Sequence, residues 1–464
     1  MNKWEFQVRR TGLSFLVFVF FLLGMAIEAA ALISIEEETK LGREFSQAVR
    51  QRFDVVQDDF VNQYLNDLGQ YLNQSVDTQY FPLHLSFIND NTLNGFAGPG
   101  GHIFIFTGLL DTMNEADELA AVLCHEMAHV SSRHIAQRIE QSKKMSWVAL
   151  AGMLAGAIIG GKTGSAVSAG ALAGSVQALL NNTREDERDA DQLSYNYMAN
   201  TGFDPGGMLV VLKNLARGNF GQGEQVPPYL LTHPTGSERI SNIEIMLKNF
   251  RSKPERPEVT AFRKAFPFIK ATLRAKYQKA EDAARWFNQD LAKDTKNGIA
   301  YFGLGMLAKE HAEYDKAIAH FQKALENLPK SMPILRNLGE AYLLKGDYEP
   351  ALRTMNRALE IDSQDTSALL LLANAYQYME KFQKAADTYE RIIALGKAND
   401  DTYYQIGIAY GRQDKLGLAH YYFGVHFKRL AQPDKAKFHF EKALEFAKDD
   451  PALRNRIENA MQGQ

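Results

Sequence analysis

A repeat of 34 residues runs through the second half of the chain and constrains its fold more than any other feature of the sequence. A period of this length is typical of a pair of antiparallel helices that cannot bury its apolar face alone and must stack on its neighbours. Three registers recur in phase, so a generic bundle of amphipathic helices is disfavoured. The first register consists of alanines: Ala283, Ala317, Ala351, Ala385 and Ala419.

The other two registers resemble the small and bulky positions of the tetratricopeptide (TPR) repeat. Small residues let two helices approach, and large side chains fill the remaining space. The resemblance implies an α-helical TPR solenoid over residues 256–464. Ala436 continues the pattern only 17 residues after Ala419, so we predict that a helix near 415–430 serves two hairpins. The small residues are Ala271, Gly305, Gly339, Ala373 and Gly407, and the bulky ones are Phe287, Phe321, Met355, Tyr389 and Phe423.

The N-terminus predicts export. A basic segment precedes an apolar stretch at 13–27, and alanines at 29–31 suit cleavage after Ala31, so residues 1–31 are predicted to be a signal peptide. An uncleaved anchor is the alternative, but the apolar stretch is short for about 30 Å of hydrocarbon. The single cysteine, Cys124, excludes an intrachain disulfide and a cysteine-built metal site. Export without disulfides favours a bacterial periplasm.

The length and the net charge limit which domains and partners the rest of the chain can have. The 464 residues exceed one compact domain, and we predict a second domain over residues 32–255, ahead of the solenoid. A net charge of −3 provides no basic field for nucleic acid. The Ala- and Gly-rich residues 145–180 are too short in each half to span a membrane comfortably, so they predict a buried or interfacial helical hairpin.

Local signals outline the elements of this domain. Ser34 and Glu37 form a capping box that opens a helix ending near Phe53. Residues 83–88 predict a strand, and the glycine-rich turn at 98–101 predicts a hairpin between 94–97 and 102–106. Asn114 is predicted to cap a long helix, and another helix is predicted from Thr183 to Gly202. We expect the second hairpin strand to be an edge to which a peptide substrate adds; its residues are His102, Ile103, Phe104, Ile105 and Phe106.

The strongest chemical motif is the segment HEMAH at 125–129. Histidines four positions apart lie on one face of a helix, so His125 and His129 can bind one Zn²⁺. Glu126 then lies beside the metal, where it can act as the general base that deprotonates the attacking water. The alternative is two core histidines, which the presence of a third ligand disfavours.

A catalytic zinc site needs a third protein ligand and an open position. Glu187 is the best candidate, and Asp191, one turn later on the same helix face, can hydrogen-bond a ligand histidine. The alternative for this charged run is a solvated helix face. Because the other side of the helix is apolar, we expect the helix to be docked.

These motifs together resemble the gluzincin metallopeptidases of the CAAX-prenyl-protease type. The resemblance is carried by HEMAH, by Arg184, Glu187, Ala190 and Asp191 in RxxExxAD, by residues 94–101, and by His233-Pro234 with Arg239-Ile240. One departure is Gly95, where the family usually has alanine. The implied fold class is mostly α: an α+β metalloprotease domain with a small sheet, followed by the TPR solenoid.

The resemblance also implies site roles. His125, His129 and Glu187 become the ligands of one Zn²⁺ per subunit, with Glu126 as general base and Asp191 as a residue that hydrogen-bonds a ligand histidine or donates a proton. His233 and Arg239 become regulatory or oxyanion-binding residues. For His233, three readings stay open: a fourth zinc ligand that holds the enzyme latent, an oxyanion donor, or a loop histidine. His134 is expected to face away from His129 and to pack or support the site, and Cys124 is expected to be a small buried residue.

By resemblance, the chain is a periplasmic zinc endopeptidase that degrades misassembled outer-membrane β-barrel proteins and assists their assembly. Implied partners are unfolded or stalled β-barrel substrates, the β-barrel assembly machinery and the lipopolysaccharide-transport barrel protein, with peripheral membrane contact and no nucleic acid. The competing function is a non-proteolytic TPR chaperone or adaptor. A scaffold with structural zinc fits poorly, because Glu126 would then have no task.

Overall fold

A computed structural model describes residues 32–141, 183–217, 227–234, 237–252 and 254–462. The predicted signal peptide and the predicted hairpin at 145–180 lie outside these residues. Within the described segments, no helix combines the length and apolarity needed to cross a membrane. The chain divides into two compact units, Met1–Phe266 and Pro267–Gln464.

The first unit combines helices with one small sheet. Its strands are β1 (His84–Ile88), β2 (Gly95–Ala97) and β3 (His102–Phe106), with a 3₁₀ turn at Pro99–Gly101. Its helices are α1 (Ile35–Arg52), α2 (Asp59–Asn73), α3 (Thr107–Asp111), α4 (Ala116–Ser131), α5 (His134–Gln141), α6 (Arg184–Thr201), α7 (Gly206–Arg217), α8 (Pro228–Thr232) and α9 (Ser237–Lys248). Helix α10 (Pro257–Tyr277) contains the boundary between the units.

Most of the predicted helix ends are confirmed. The Ser34 and Glu37 capping box opens α1, and Phe53 caps its C-terminus. Thr183 caps α6, and Gly202, in the left-handed conformation with φ 92°, ends it. The expected cap of α4 was wrong by one residue: Glu115 is the N-cap, because its carboxylate and that of Glu118 form a reciprocal capping box.

The sheet has the order β1-β3-β2. The predicted hairpin is confirmed, since β2 and β3 pair antiparallel with Phe96 opposite Phe104. The prediction that residues 102–106 form an edge was wrong. The whole of β3, from His102 to Phe106, pairs in parallel with β1 on its other side, so both of its hydrogen-bonding edges are used. Strands β1 and β2 are the two edges of the sheet, and Val55 forms an isolated bridge with Ile88 of β1.

Helix α4 is the centre of the first unit. Every residue from Ala116 to His129 is buried, because α6 and α7 pack against this helix. Helix α1 packs against the 3₁₀ turn beside β2. Gly42 permits this contact, since a Cβ there would lie 2.4 Å from the carbonyl oxygen of Pro99.

The second unit is a run of antiparallel helix pairs, which confirms the helical-repeat prediction. The small and bulky registers meet in it: the ring of Phe321 lies where a side chain on Gly305 would be. Helix α19 packs on both α18 and α20, as predicted for the helix that serves two hairpins. The helices are α11 (Ala280–Lys293), α12 (Gly298–Glu310), α13 (Tyr314–Asn327), α14 (Met332–Lys345), α15 (Tyr348–Ile361), α16 (Thr366–Tyr378), α17 (Phe382–Ala394), α18 (Asp400–Gly411), α19 (Leu416–Arg429), α20 (Pro433–Phe446) and α21 (Pro451–Gln462).

Candidate metal centre

Four buried side chains converge from three parts of the first unit. Helix α4 supplies His125 and His129, α6 supplies Glu187, and His233 follows α8. One ligand atom from each residue lies within 4.8 Å of the others. The loop histidine therefore joins the three residues that the motifs had already connected.

The spacing of these atoms suits a tetrahedral ion. From Nε2 of His125, the distances are 3.2 Å to Nε2 of His129, 3.3 Å to Nδ1 of His233 and 3.4 Å to Oε2 of Glu187. Ligands at zinc-bond distance on a tetrahedron are about 3.3–3.5 Å apart. One imidazole nitrogen has at most one proton to share, so a single cation satisfies this cluster better than hydrogen bonds among its members.

Each ligand histidine of α4 has a second partner at its Nδ1 atom. Nδ1 of His125 lies 3.1 Å from Oδ1 of Asp191, the partner expected from the sequence. Nδ1 of His129 lies 2.9 Å from Nδ1 of His134. Contacts of this kind orient the ring and select the tautomer that leaves Nε2 available to a metal.

Arg239 joins two acidic residues of α6. Its Nε and Nη2 atoms donate to the two carboxylate oxygens of Asp191 at 2.7 and 2.8 Å. Its Nη1 atom lies 2.6 Å from Oε2 of Glu187, in an ion pair that is not aligned as a hydrogen bond. The sequence placed Arg239 in a motif, but nothing in its spacing showed that it bridges these two carboxylates.

The buried charges also fit a divalent cation. Burial acts to raise the pKa of Glu187, but His233, Arg239 and His125 hold it well below its ordinary value. Burial likewise opposes ionisation of Asp191, and Arg239 together with His125 lowers its pKa. Glu126, Glu187 and Asp191 thus bury three carboxylates together with the one guanidinium of Arg239, and a 2+ ion would balance the remaining charge.

The two α4 histidines have different pKa directions. Burial lowers the pKa of His129 well below its ordinary value, which favours the neutral form that ligates a metal. Burial acts in the same direction on His125, but Glu187 and the hydrogen bond to Asp191 raise its pKa to about 9. Without a cation, the acidic partners of His125 therefore attract a proton to the position that a metal would take.

Glu126 is fully buried beside this cluster. Among the described residues, neither of its carboxylate oxygens has a hydrogen-bond partner. Nε2 of His233 lies 3.5 Å from its Oε1 atom. A buried carboxylate without hydrogen bonds is costly, and such a group is typical of a residue that acts on substrate or water.

Other residues singled out from the sequence lie apart from the cluster. His102 stacks on His84 at the far end of β3, with 4.6 Å between ring centroids. Cys124 is buried, and burial raises the pKa of its thiol, so it behaves as a small core residue. Tyr229, one turn before His233, was not predicted from the sequence, and its ring stacks on the His233 imidazole at 4.6 Å.

Comparisons with known proteins show what this chain is similar to. Residues 60–247 match the model of peptidase family M48, and residues 308–375 and 368–403 match tetratricopeptide repeat models. The β-barrel assembly-enhancing protease of Yersinia pestis is 28% identical over 75% of this chain and 72% of that protein. The protein of the same name from Escherichia coli K12 is 27% identical over 79% and 75%. A crystal structure of MamA aligns at a TM-score of 0.28 with 22% identity, over 37% of this chain and 90% of that one.

Proposed function

We propose that this chain, a metallopeptidase with a family M48 domain followed by tetratricopeptide repeats, binds one Zn²⁺ per subunit and cleaves proteins in the periplasm. The observation that carries the proposal is the buried set His125, His129, Glu187 and His233 at tetrahedral spacing. Beside it lies the carboxylate of Glu126, which has no hydrogen-bond partner among the described residues. Nitrogen and carboxylate ligands of this kind suit zinc.

When bound, the metal would act as a Lewis acid that polarises the scissile carbonyl and activates water. Glu126 accepts the proton of the attacking water at its carboxylate and returns it to the leaving amine, because its oxygens are not engaged elsewhere among the described residues. Asp191 acts through His125, to which it is hydrogen-bonded, and is held by Arg239. This arrangement supports a positioning role for Asp191 more than that of a proton donor.

An extended substrate would add to β2 rather than β3. Phe96 pairs with Phe104 of β3, so the backbone groups of its neighbours Gly95 and Ala97 face the other way. The N–H group of Gly95 donates to Oδ1 of Asn94 at 2.9 Å, which leaves Ala97 as the pairing position. Since β2 packs on α4, a peptide added there lies beside the metal helix.

His233 is proposed to hold the enzyme latent. Its Nδ1 atom lies 2.9 Å from Oε1 of Glu187, within the ligand set, and its Nε2 atom lies 3.5 Å from Glu126. A catalytic zinc site keeps one position open, whereas four protein ligands make a closed site. Displacement of His233 would then open the site to water and substrate.

Replacing His233 by Ala is therefore expected to raise the initial rate of casein cleavage, with zinc retained by the other three ligands. The rate and the bound zinc are measured on the same preparation. His311→Ala, an exposed histidine of the second unit, is the control and should change neither. A loss of cleavage with zinc still bound would contradict latency and support the oxyanion-donor role.

The cofactor itself is tested by chelation. We expect the purified protein to contain close to one zinc per chain, to lose casein cleavage in a chelator and to regain it with Zn²⁺. The metal content is measured by elemental mass spectrometry. The activity is measured by the release of soluble peptides from casein. Full cleavage by protein stripped of metal would contradict the proposal.

Residues 1–31 are proposed to direct export, and the relatives named as β-barrel assembly-enhancing proteases suggest the clients. We propose that the chain degrades misassembled outer-membrane β-barrel proteins and assists their assembly. A folded barrel has no free strand to offer at β2, so an edge-pairing site selects incompletely assembled chains. The TPR array would bind these clients, the β-barrel assembly machinery or the lipopolysaccharide-transport barrel protein.

A non-proteolytic TPR chaperone or adaptor is the competing function. In that case the charged residues of the metal centre would have no catalytic role. The free energy that their burial costs would then bring no functional benefit. The Glu126→Gln variant considered in the Discussion separates the two functions, because only the peptidase depends on that carboxylate.

A further inference from the structure

His134 occupies a position that helical periodicity does not predict. Helix α4 ends at Ser131, and Arg133 adopts a left-handed conformation with φ 53° before α5 begins at His134. A continuous helix would have turned His134 away from His129. The reversal instead brings the two Nδ1 atoms to 2.9 Å, with the rings inclined at 68°.

The turn is fixed from two sides. Arg133 donates to Oε2 of Glu38 at 2.9 and 2.7 Å and to the carbonyl of Ile33 at 2.6 Å, which anchors it to α1. Ser132 donates to Oδ2 of Asp189 on α6 at 2.7 Å. A non-glycine residue at positive φ costs free energy, so these contacts offset a strain that places His134 where it is.

The hydrogen-bond directions follow from the role of His129. Its Nε2 atom lies 3.2 Å from Nε2 of His125 and 3.4 Å from Oε1 of Glu187, so it is the atom offered to the metal and carries no proton. The neutral ring then holds its proton on Nδ1 and donates it to Nδ1 of His134.

His134 must accept this bond, so its own proton is on Nε2. That atom lies 3.4 Å from Oδ2 of Asp189 and 3.9 Å from Oδ1 of Asp186. A series of contacts therefore runs from the carboxylate of Asp189 through the imidazoles of His134 and His129 to the position of the metal. His125 has a shorter version, in which Asp191 contacts its Nδ1 atom directly.

We propose that His134 is a positioning residue: it holds His129 in the tautomer and ring orientation that present Nε2 to the metal, with Asp189 as the terminal acceptor. The inference rests on the proposed zinc site. It assigns a function to the strained turn at Arg133 and to a carboxylate that does not belong to the ligand set. Partners of ligand histidines at this distance from the metal typically alter metal affinity by about 10–100-fold.

The test measures zinc affinity by competition with a chromophoric chelator. His134→Leu, which removes the acceptor, is expected to weaken zinc binding by about 10–100-fold. His134→Asn places an amide oxygen near the position of Nδ1 and is expected to recover most of that loss. The visible absorption of the Co²⁺-substituted protein should change with Leu and stay close to wild type with Asn, because it reports the ligand geometry.

Two further variants separate positioning from folding. Asp189→Asn changes a side chain that is 49% exposed, so the chain should fold, and zinc binding is expected to weaken less than with His134→Leu. Asp67→Asn makes the same chemical change at an exposed residue of α2 and should bind zinc like wild type. Thermal unfolding of the chelated proteins checks that each variant is folded.

The outcomes are distinct. Zinc affinity and cobalt absorption unchanged in folded His134→Leu would overturn the inference. If that variant does not fold, unchanged affinity and absorption in Asp189→Asn would overturn it instead. Equal losses in the Leu and Asn variants would also count against it, since the acceptor would then be irrelevant. Failure of the wild-type protein to bind zinc would overturn the proposed function itself.

Discussion

Replacing Glu126 by Gln should lower kcat/KM for casein cleavage by at least about 100-fold, because a positioned general base contributes about 10²–10⁴-fold to a rate. The amide of Gln has nearly the same shape as the carboxylate, so the fully buried position remains filled. It cannot accept the proton of the attacking water. Zinc affinity should be nearly unchanged, since Glu126 does not belong to the ligand set.

A matched control is Glu244→Gln, which makes the same chemical change at an exposed residue of the first unit that pairs with Lys213. Its cleavage rate should equal that of wild type. If Glu126→Gln retains zinc and cleaves at the wild-type rate, the assignment of Glu126 as general base is wrong. If it loses cleavage but supports barrel assembly in cells, the chain has a chaperone activity separate from proteolysis.

The same variant allows clients to be trapped. A photocrosslinker placed at Tyr378, an exposed aromatic residue of the array, would capture proteins bound to the TPR unit while Glu126→Gln prevents their cleavage. The same probe at Ile245, which is exposed on the first unit, is the control position.

Replacing Arg239 by Met is expected to destabilise the first unit by about 3–5 kcal/mol in the absence of metal. The change leaves the carboxylates of Glu187 and Asp191 buried without their shared guanidinium. In the presence of excess zinc the loss should be smaller, because a cation at the site compensates Glu187 and stabilises the folded form.

Because the two units need not unfold together, the measurement should follow the first unit alone. Hydrogen exchange of the α4 amide groups at increasing urea concentration reports its free energy of unfolding. The control is Arg188→Met, which removes another arginine pair between α6 and α9, to Glu238, with both side chains over 60% exposed. That change should cost less than about 0.5 kcal/mol. Similar losses of unfolding free energy in both variants would show that burial of the Arg239 ion pairs does not contribute to the stability of the first unit.

The parts of the fold that the sequence predicts well depend on interactions between residues that are close together in the chain. The capping box at Ser34 and the ends of α6 depend on residues within a turn of one another, and each was found as expected, with the hairpin and the helical repeat. The N-cap of α4 was predicted at Asn114 but lies at Glu115, because neighbouring polar residues compete for the N-cap position.

Non-local pairing explains the main error. A glycine-rich turn predicts that two strands pair, but it contains no information about the second neighbour of either strand. The parallel partner of β3 is β1, which precedes β2 in the chain, so only the assembled sheet shows that β3 is central and β2 is an edge. His134 was mispositioned for a similar reason: Arg133 takes a positive φ without the glycine that normally signals one.

By itself, the sequence determined that His125 and His129 share a helix face with Glu126 between them, and that a helical solenoid follows, because both depend on spacing within single helices or repeats. Only the tertiary structure decided which distant groups meet them. His233, Arg239 and the Asp189–His134 pair reach the site by packing of α4, α6 and the loop after α8, and sheet order placed β3 in the centre and β2 at an edge. These contacts join residues far apart in the chain, so their distances follow from the burial of whole elements and not from local preference.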